Sequence, residues 1–322
     1  MLNIYKIPVP TPYPVGPVNC YLIKNRPYTL VDPGPDTGEA RSSLVSGLEV
    51  QGVALKDISR VVLTHYHSDH SGLASWLSEV AGARIYLHRY ELRKLTSNYD
   101  FYQERLSFLQ ESGLPTVVLR EILEDVDTVK QPVLPSGGIT LLQGGEILGF
   151  DGGSLLVLHR PGHSDGHICL YDQLGRAFLA GDFMLEHITP NPNMEPDPCD
   201  FKKRLPVLSQ YLDGLDTMDE IGACLILPGH GENIDDSQSA VFRAKKHHLE
   251  RLELIASLLE GECLNVYQLM RVLYPHISGF QIYLGLSEVF AHVDYLVAGG
   301  ELSKTEAGGI ALYQKPLVHN II

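Results

Sequence analysis

The chain has 322 residues, 44% of them hydrophobic and 20% charged, and its 25 Lys and Arg face 39 Asp and Glu to leave a formal net charge of −14. That composition builds a packed core and excludes a disordered or fibrous chain, while the acidic balance disfavours nucleic acid and anionic membrane surfaces as partners. Five scattered cysteines, Cys20, Cys169, Cys199, Cys224 and Cys263, form no CxxC pair, which excludes a disulfide framework and a cysteine zinc site and sets the expectation of a reducing, cytoplasmic setting.

Residues 1–16 carry Pro8, Pro10, Pro12 and Pro14 with a single Lys6, and lack the charged start and apolar run of a signal peptide. Strand-length runs follow, each ended by a polar cluster: residues 20–23, 28–31 before Asp32, 61–63 before Thr64, 155–158 before His159, 177–180 before Gly181 and 225–227 before Pro228. They read as buried strands whose ends present functional side chains. Helical patterns at 39–48 and at 73–80, the second stopped by Gly82, lie between them, so residues 1–236 read as an α/β domain with helices layered on sheet. Residues 90–130 have mostly helical periodicity and read as an insertion or lid. No apolar run approaches the ~20 residues that span a bilayer.

Beyond residue 236 the pattern becomes helical. Leu252, Ile255, Ala256 and Leu259 make one apolar face stopped by Gly261. Val266, Leu269, Met270 and Leu273 make a second behind Asn265 as N-cap, and a third runs from Leu286 through Val289, Phe290 and Val293 to Leu296. Residues 301–314, turning at Gly308 and Gly309, predict a two-stranded hairpin. Three helices and a wing give residues 237–322 the order of a small winged-helix-like domain.

The densest chemistry is Thr64-His65-Tyr66-His67-Ser68-Asp69-His70, directly after the strand at 61–63. Neutral imidazole and carboxylate suit a borderline divalent cation. On an extended turn His65 and His67 point the same way, while Asp69 and His70 fall on the start of the next helix, so the string can serve two neighbouring ions. Three further candidates stand at strand ends beside glycines that allow tight turns: His163 in PGHSDGH, Asp182 in AGD and His230 in PGHG. His167 is open between supporting a ligand, touching substrate and packing. His88 and His159 read as structural, Tyr66 and Ser68 as shaping the loop, and His247-His248 beside Lys245 and Lys246 as a solvated helix face.

This ordered set resembles the metallo-β-lactamase superfamily, and the whole layout is similar to its lactamase-β-like branch related to glyoxalase II. The resemblance implies a four-layered αββα sandwich over residues 1–236 with a two-metal site at the edge of the sheets. It implies two divalent metal ions, zinc first, with iron or manganese fitting the same ligand types. His65, His67 and His163 would hold the first ion, Asp69, His70 and His230 the second, and Asp182 would bridge them. Asp32, in LVDPG, would support a ligand without binding metal. His67 stands where the flavo-diiron branch has Glu, which argues against an oxygen-reducing di-iron site. The implied mechanism is attack by a metal-bridging hydroxide, oriented by Asp69 and Asp182 as the catalytic carboxylates, with Asp69 moving the proton.

Two activities fit that chemistry. The first is hydrolysis of a small ester, thioester or lactone. The second is a metal-dependent endoribonuclease that cleaves single-stranded RNA, with the winged tail as guide; against it, the tail's seven basic residues meet eight acidic ones. A third reading makes the tail a lid or a dimerisation element, giving a homodimer, and the metal site a sensor. The loop at 188–198, with Phe183, Met184, His187 and Asn191, is a candidate rim.

Overall fold

The computed structural model describes residues 1–126 and 132–316. The chain begins with β1 (Ile4–Val9), β2 (Val18–Ile23), β3 (Thr29–Val31), α1 (Gly38–Val50), β4 (Arg60–Val62), α2 (Ser68–Ser71), α3 (Ala74–Ala81) and β5 (Arg84–His88). After α4 (Leu106–Glu111) and α5 (Thr116–Val126) come β6 (Ile139–Leu142), β7 (Ile147–Phe150), β8 (Gly153–His159), β9 (Ile168–Asp172) and β10 (Ala177–Gly181). A short pair, β11 (Pro196–Asp197) and β12 (Asp200–Arg204), precedes α6 (Val207–Asp216), α7 (Met218–Ile221) and β13 (Leu225–Pro228). The remainder is α8 (Ser237–Leu258), α9 (Val266–Leu273), α10 (Phe280–Ala298) and the hairpin β14 (Ser303–Ala307) and β15 (Ile310–Gln314). Among the described residues no helix is long and apolar enough to cross a membrane.

These elements form two compact units. Met1–Tyr99, Lys130–Pro190 and Asp213–Val241 make one; Asp100–Val129, Asn191–Leu212 and Phe242–Ile322 make the other. The first unit holds a six-stranded sheet, ordered β1-β2-β3-β4-β5-β6, and a five-stranded sheet, ordered β13-β10-β9-β8-β7. The period-2 alternation of the strands decides what each face meets. Cys20, Leu22, Leu30, Val61, Ile85 and Leu87 share a core with Ala40, Leu44 and Leu48 of α1 and with Ala74 and Leu77 of α3. Tyr21, Ile23, Val31 and Val62 point the other way, into a core with Leu155, Val157, Ile168, Leu170, Leu179 and Leu227 of the second sheet. Full burial of one such aliphatic side chain contributes about 1.5–3 kcal/mol. Phe178 alternates out of that second core to lie 6.4 Å from the Phe183 ring, which in turn packs on Gly214 of α6. The layering is thus helix, sheet, sheet, helix, as expected.

The Pro-rich start, in which no strand was expected, supplies β1. It is an edge strand, paired only with β2, and an edge tolerates Pro8 because no ladder partner needs its missing N–H. Gly82, in the left-handed region at φ 68°, ends α3 where the sequence predicts.

The second unit has its own core. Leu252 and Ile255 of α8 and Leu259 just after it meet Leu269 and Met270 of α9, Leu286, Val289 and Phe290 of α10, and Tyr313 of β15. The expected order of three helices and a hairpin is present, with Asn265 capping α9. The units do not follow the single boundary expected between 236 and 237. Phe108, Leu109 and Ile122 from the segment read as an insertion, with Met194, Val207 and Leu208, bury their side chains in the helical core. Three helices and a hairpin leave part of their apolar surface uncovered, and these two segments cover it.

Candidate metal centre

The sheets bring the motifs together because the strands that carry them point the same way. In the first sheet β3 and β4 are parallel, so Asp32 and the 64–70 string leave from one end. In the second, β10 and β13 are parallel, and β8 is antiparallel to β9, which is antiparallel to β10. His163, Asp182 and His230 therefore leave together. His67 is the N-cap of α2, and Asp69 and His70 lie in its first turn. A Cβ on Gly229 would fall on the Asp182 carboxylate and 2.9 Å from the His70 ring, so only glycine lets this loop approach so closely.

All seven sequence-predicted ligands converge, in three overlapping groups: His65, His67 and His163; His65, His70 and Asp182; Asp69, His70 and His230. His67 Nδ1 stands 2.9 Å from His65 Nε2 and 3.0 Å from His163 Nε2. His70 Nε2 stands 3.3 Å from His230 Nε2, and His230 Nε2 3.3 Å from Asp69 Oδ2. Asp182 lies between the sets, with Oδ1 at 3.4 Å from His70 Nε2 and Oδ2 at 3.7 Å from His163 Nε2.

The outward bonds of three of these rings settle which nitrogen faces inward. Asp32, at the end of β3 with φ 53°, accepts from Thr64 N (2.8 Å) and Thr64 Oγ1 (2.7 Å), and His70 Nδ1 donates to its Oδ2 at 3.0 Å. The Thr64 hydroxyl, its own proton given to Asp32, accepts from His65 Nδ1 at 3.0 Å. His230 Nδ1 donates to the Pro17 carbonyl at 2.9 Å. Each bond leaves Nε2 with a lone pair turned to the centre. Burial, reinforced by His70 and His67, keeps the proton affinity of His65 well below the ordinary imidazole value; burial and then His163 do the same to His67. Burial opposes ionisation of Asp182, yet His70, His230 and His163 outweigh it and hold the carboxyl well below its usual range. Burial also opposes protonation of His70, but Asp182, Asp69 and Asp32 overcome it and raise that ring well above its ordinary value.

This donor set fits divalent cations. Where His65, His67 and His163 meet, lone pairs face lone pairs, and the buried Oδ1 of Asp182 receives no hydrogen bond. Two nitrogens on one tetrahedral ion stand about 3.3 Å apart, close to the spacings seen here. The carboxylates also draw protons onto His70 and His230, which places positive charge where a cation would stand.

His167 is buried and accepts from the Asp182 backbone N–H at 3.1 Å, which makes it a support for that residue. His88 and His159 stack on each other with centroids 4.1 Å apart, outside the convergent set. Phe183 and Met184 are core residues, 1% and 2% exposed, and do not form a rim. His248 is not on a solvated face: it is buried against His292 at 3.1 Å, because this side of α8 packs on α10. Sequence reasoning missed Glu91, whose carboxylate accepts from Tyr66 N, Ser164 Oγ and Gly166 N. It also missed Asn19, whose Nδ2 donates to the carbonyls of Pro228 and Gly231 beside His230, and Tyr13, whose hydroxyl is 2.6 Å from Ser68 Oγ. No local pattern marks these three, since their partners are distant in sequence.

A model of the metallo-beta-lactamase superfamily matches residues 13–219. Over nearly its whole length the chain is similar to the probable metallo-hydrolase YqjP of Bacillus subtilis, 30% identical over 309 residues, which is 92% of each chain. In structure it is similar to the metallo-beta-lactamase family protein TTHA1429 from Thermus thermophilus, with a TM-score of 0.81 and 30% identity over 97% of this chain and 98% of that one. A shorter likeness, 33% identity over 170 residues, covers 52% of this chain and 67% of the hydroxyacylglutathione hydrolase GloC of Haemophilus influenzae. With the family model spanning more than half of its length, the two full-length likenesses agreeing and the motifs gathered at one sheet edge, the chain belongs to the metallo-beta-lactamase superfamily.

Proposed function

We propose that the protein hydrolyses a small ester, thioester or lactone with the help of two divalent metal ions, zinc first among them. The observation that carries this reading is the Asp182 carboxylate, which presents one oxygen to His70 and the other to His163 and so joins two donor sets. On this reading His65, His67 and His163 hold one ion, Asp69, His70 and His230 the other, and Asp182 is shared. When bound, the ions supply a water of lowered pKa and a Lewis acid for the substrate's carbonyl oxygen.

The chain's own part is to orient, neutralise and move a proton. Substrate approaches from the side where His67, Ser68, Asp69 and His163 are partly exposed, since His65 and His70 are closed off. Asp69, on that open side, orients the attacking water and takes its proton. Asp182, buried and ionised, balances charge at the centre. Within the substrate class, the likeness to GloC supports a thioester. The tail's cations support a small molecule over RNA: Arg251 pairs with Glu288, Lys246 with Glu250, Lys304 with Glu111 and Lys315 with Glu260, so its charge is largely neutralised within the fold.

The test is to load metal-free protein with zinc or manganese and offer it a panel of thioesters, esters and lactones beside labelled single-stranded RNA. Turnover of acyl substrates is expected, falling about a thousandfold or more in His67→Ala, the equivalent of losing roughly 4 kcal/mol of transition-state stabilisation. RNA cleavage without acyl turnover would overturn the reading.

A further inference from the structure

Behind the metal centre lies a buried ion cluster that the hydrolytic chemistry does not use. Glu91 and Lys94, just after β5, are both fully buried. Glu91 Oε1 accepts from Ser164 Oγ at 2.8 Å and from Gly166 N at 2.7 Å, and its Oε2 accepts from Tyr66 N at 3.0 Å. Lys94 Nζ donates to Asp165 Oδ1 at 2.6 Å, stands 3.9 Å from Glu91 Oε1 and lies 4.4 Å from the centre of the Tyr66 ring. A Cβ on Gly166 would come within 2.7 Å of Glu91 Oε1, so the chain closes tightly round this carboxylate.

The donors belong to two loops. Tyr66 sits between His65 and His67; Ser164 and Gly166 follow His163. The three nitrogens of the first-ion set therefore hang from two loops that meet on one side chain. In the second set His70 donates to Asp32, which also steadies His65 through Thr64, and His230 donates to the Pro17 carbonyl with Asn19 bracing its loop.

We propose that Glu91 is a positioning residue for the first-ion site: by tying the loop of His65 and His67 to the loop of His163, it fixes the spacing of those three nitrogens and sets the affinity of that site alone. The inference rests on the ligand assignment above. The role requires a carboxylate. Three donors from two directions need acceptor lone pairs on both oxygens, and a glutamine in this place would turn its NH2 toward either Tyr66 N–H or the Ser164 and Gly166 donors. It also requires Lys94, because an ionised carboxylate is costly to bury without a compensating charge.

The experiment titrates metal-free protein with Co2+, following the visible ligand-field absorption and the stoichiometry by calorimetry. His163→Ala and His230→Ala identify which step belongs to which site. In Glu91→Gln the first-site step is expected to weaken about 10- to 100-fold, with a changed absorption band, while the second-site step moves less than about twofold. Ser164→Ala, which removes one donor and leaves the charges intact, is expected to act in the same direction by a few-fold and serves if Glu91→Gln does not fold. Parallel weakening of both sites, or an unchanged first-site step beside a lowered unfolding temperature, would overturn the proposal. Fewer than two ions bound by the parent protein would overturn the ligand assignment, and this inference with it.

Discussion

The metal centre of the sheet unit and the buried ion pairs of the helical unit hold charge in opposite ways. In the helical unit donor meets acceptor. Arg105, fully buried, donates through Nη2 to Glu195 Oε2 at 2.8 Å, through Nε to the Met194 carbonyl at 2.9 Å and through Nη1 to the Phe101 carbonyl at 3.0 Å, and it lies 4.1 Å from the centre of the Phe101 ring. Arg204 spans Asp294 with Nε and Nη2 and reaches Glu111 as well, 3.9 Å from the Phe290 ring centre. At the candidate metal centre acceptor meets acceptor: the inward nitrogens of His65, His67 and His163 face one another, with the Asp69 and Asp182 carboxylates crowded beside them. A buried charge closed by its own counter-charge is architecture. A buried set of acceptors facing acceptors needs a cation from outside, and that difference locates the chemistry more firmly than burial or ionisation alone.

The largest effect should come from opening one of the closed clusters. Arg105→Met takes from the fully buried Glu195 the guanidinium it accepts from, which should cost about 3–5 kcal/mol in urea denaturation, while metal stoichiometry stays unchanged. Adding Glu195→Leu should recover most of the loss, since an apolar pair asks for no compensation. A loss under about 1 kcal/mol for Arg105→Met would mean that Glu195 does not depend on Arg105.

Histidines sharpen the same contrast. His292 Nδ1 donates to the Glu288 carbonyl at 2.6 Å, leaving Nε2 to accept from His248 Nδ1 at 3.1 Å. This is a donor-to-acceptor chain of neutral rings, unlike the facing lone pairs at the metal centre. Burial, then its partner His292 and neighbouring His247, pushes His248 down to about 3. Burial pushes His292 down to about 4, although the Glu288 carbonyl and carboxylate pull the other way. In the unfolded chain both titrate near 6.5, so between pH 6.5 and 4 the unfolded state binds protons that the folded state refuses. Stability is therefore complete above about pH 6.5 and falls as the pH drops, by roughly 2.5 kcal/mol per histidine at pH 4.5. Denaturation of metal-free protein at pH 7 and 4.5 should show a smaller decline in His248→Leu/His292→Leu than in the parent. An equal decline would place the acid sensitivity elsewhere.

What the sequence disclosed and what it hid follow from range. The candidate ligands were legible because each sits at a strand end in a short string whose composition suits little besides a metal: HYHSDH, PGH, AGD and PGHG. The helices and hairpin of the tail were legible from periodicity, stop residues and one cap. Glu91 was not, because its three donors are two backbone amides and a serine, brought from 25 to 75 residues away. Lys94 and Arg105 carry charges that usually mark a surface, and only tertiary partners explain their burial. His248 shares a charged stretch with Lys245 and Lys246, and nothing local shows that its side of the helix meets His292. The interleaving of the units was hidden for the same reason: Phe108, Leu109 and Met194 state that they will be buried, but not in which core.

Two helix starts carry the contrast down to single side chains. At α9, Asn265 Oδ1 accepts from Gln268 N at 2.8 Å while Gln268 Oε1 accepts from Asn265 N at 2.9 Å, so the cap is closed reciprocally. At α2 the N-cap is His67, with φ −54° and ψ 142°, and its side chain makes no capping bond; its Nδ1 faces His65 and His163 instead. Asn265→Ala should cost about 1 kcal/mol. His67→Asn should do the reverse in metal-free protein, gaining up to about 1 kcal/mol, because the new side chain can accept from the backbone N–H of Asp69 and one of three facing lone pairs is gone. The same variant should lose the first-site Co2+ band. Were His67→Asn to destabilise the metal-free protein as Asn265→Ala does, His67 would be a fold residue after all, and the open cap of α2 would have to be explained by something other than a cation.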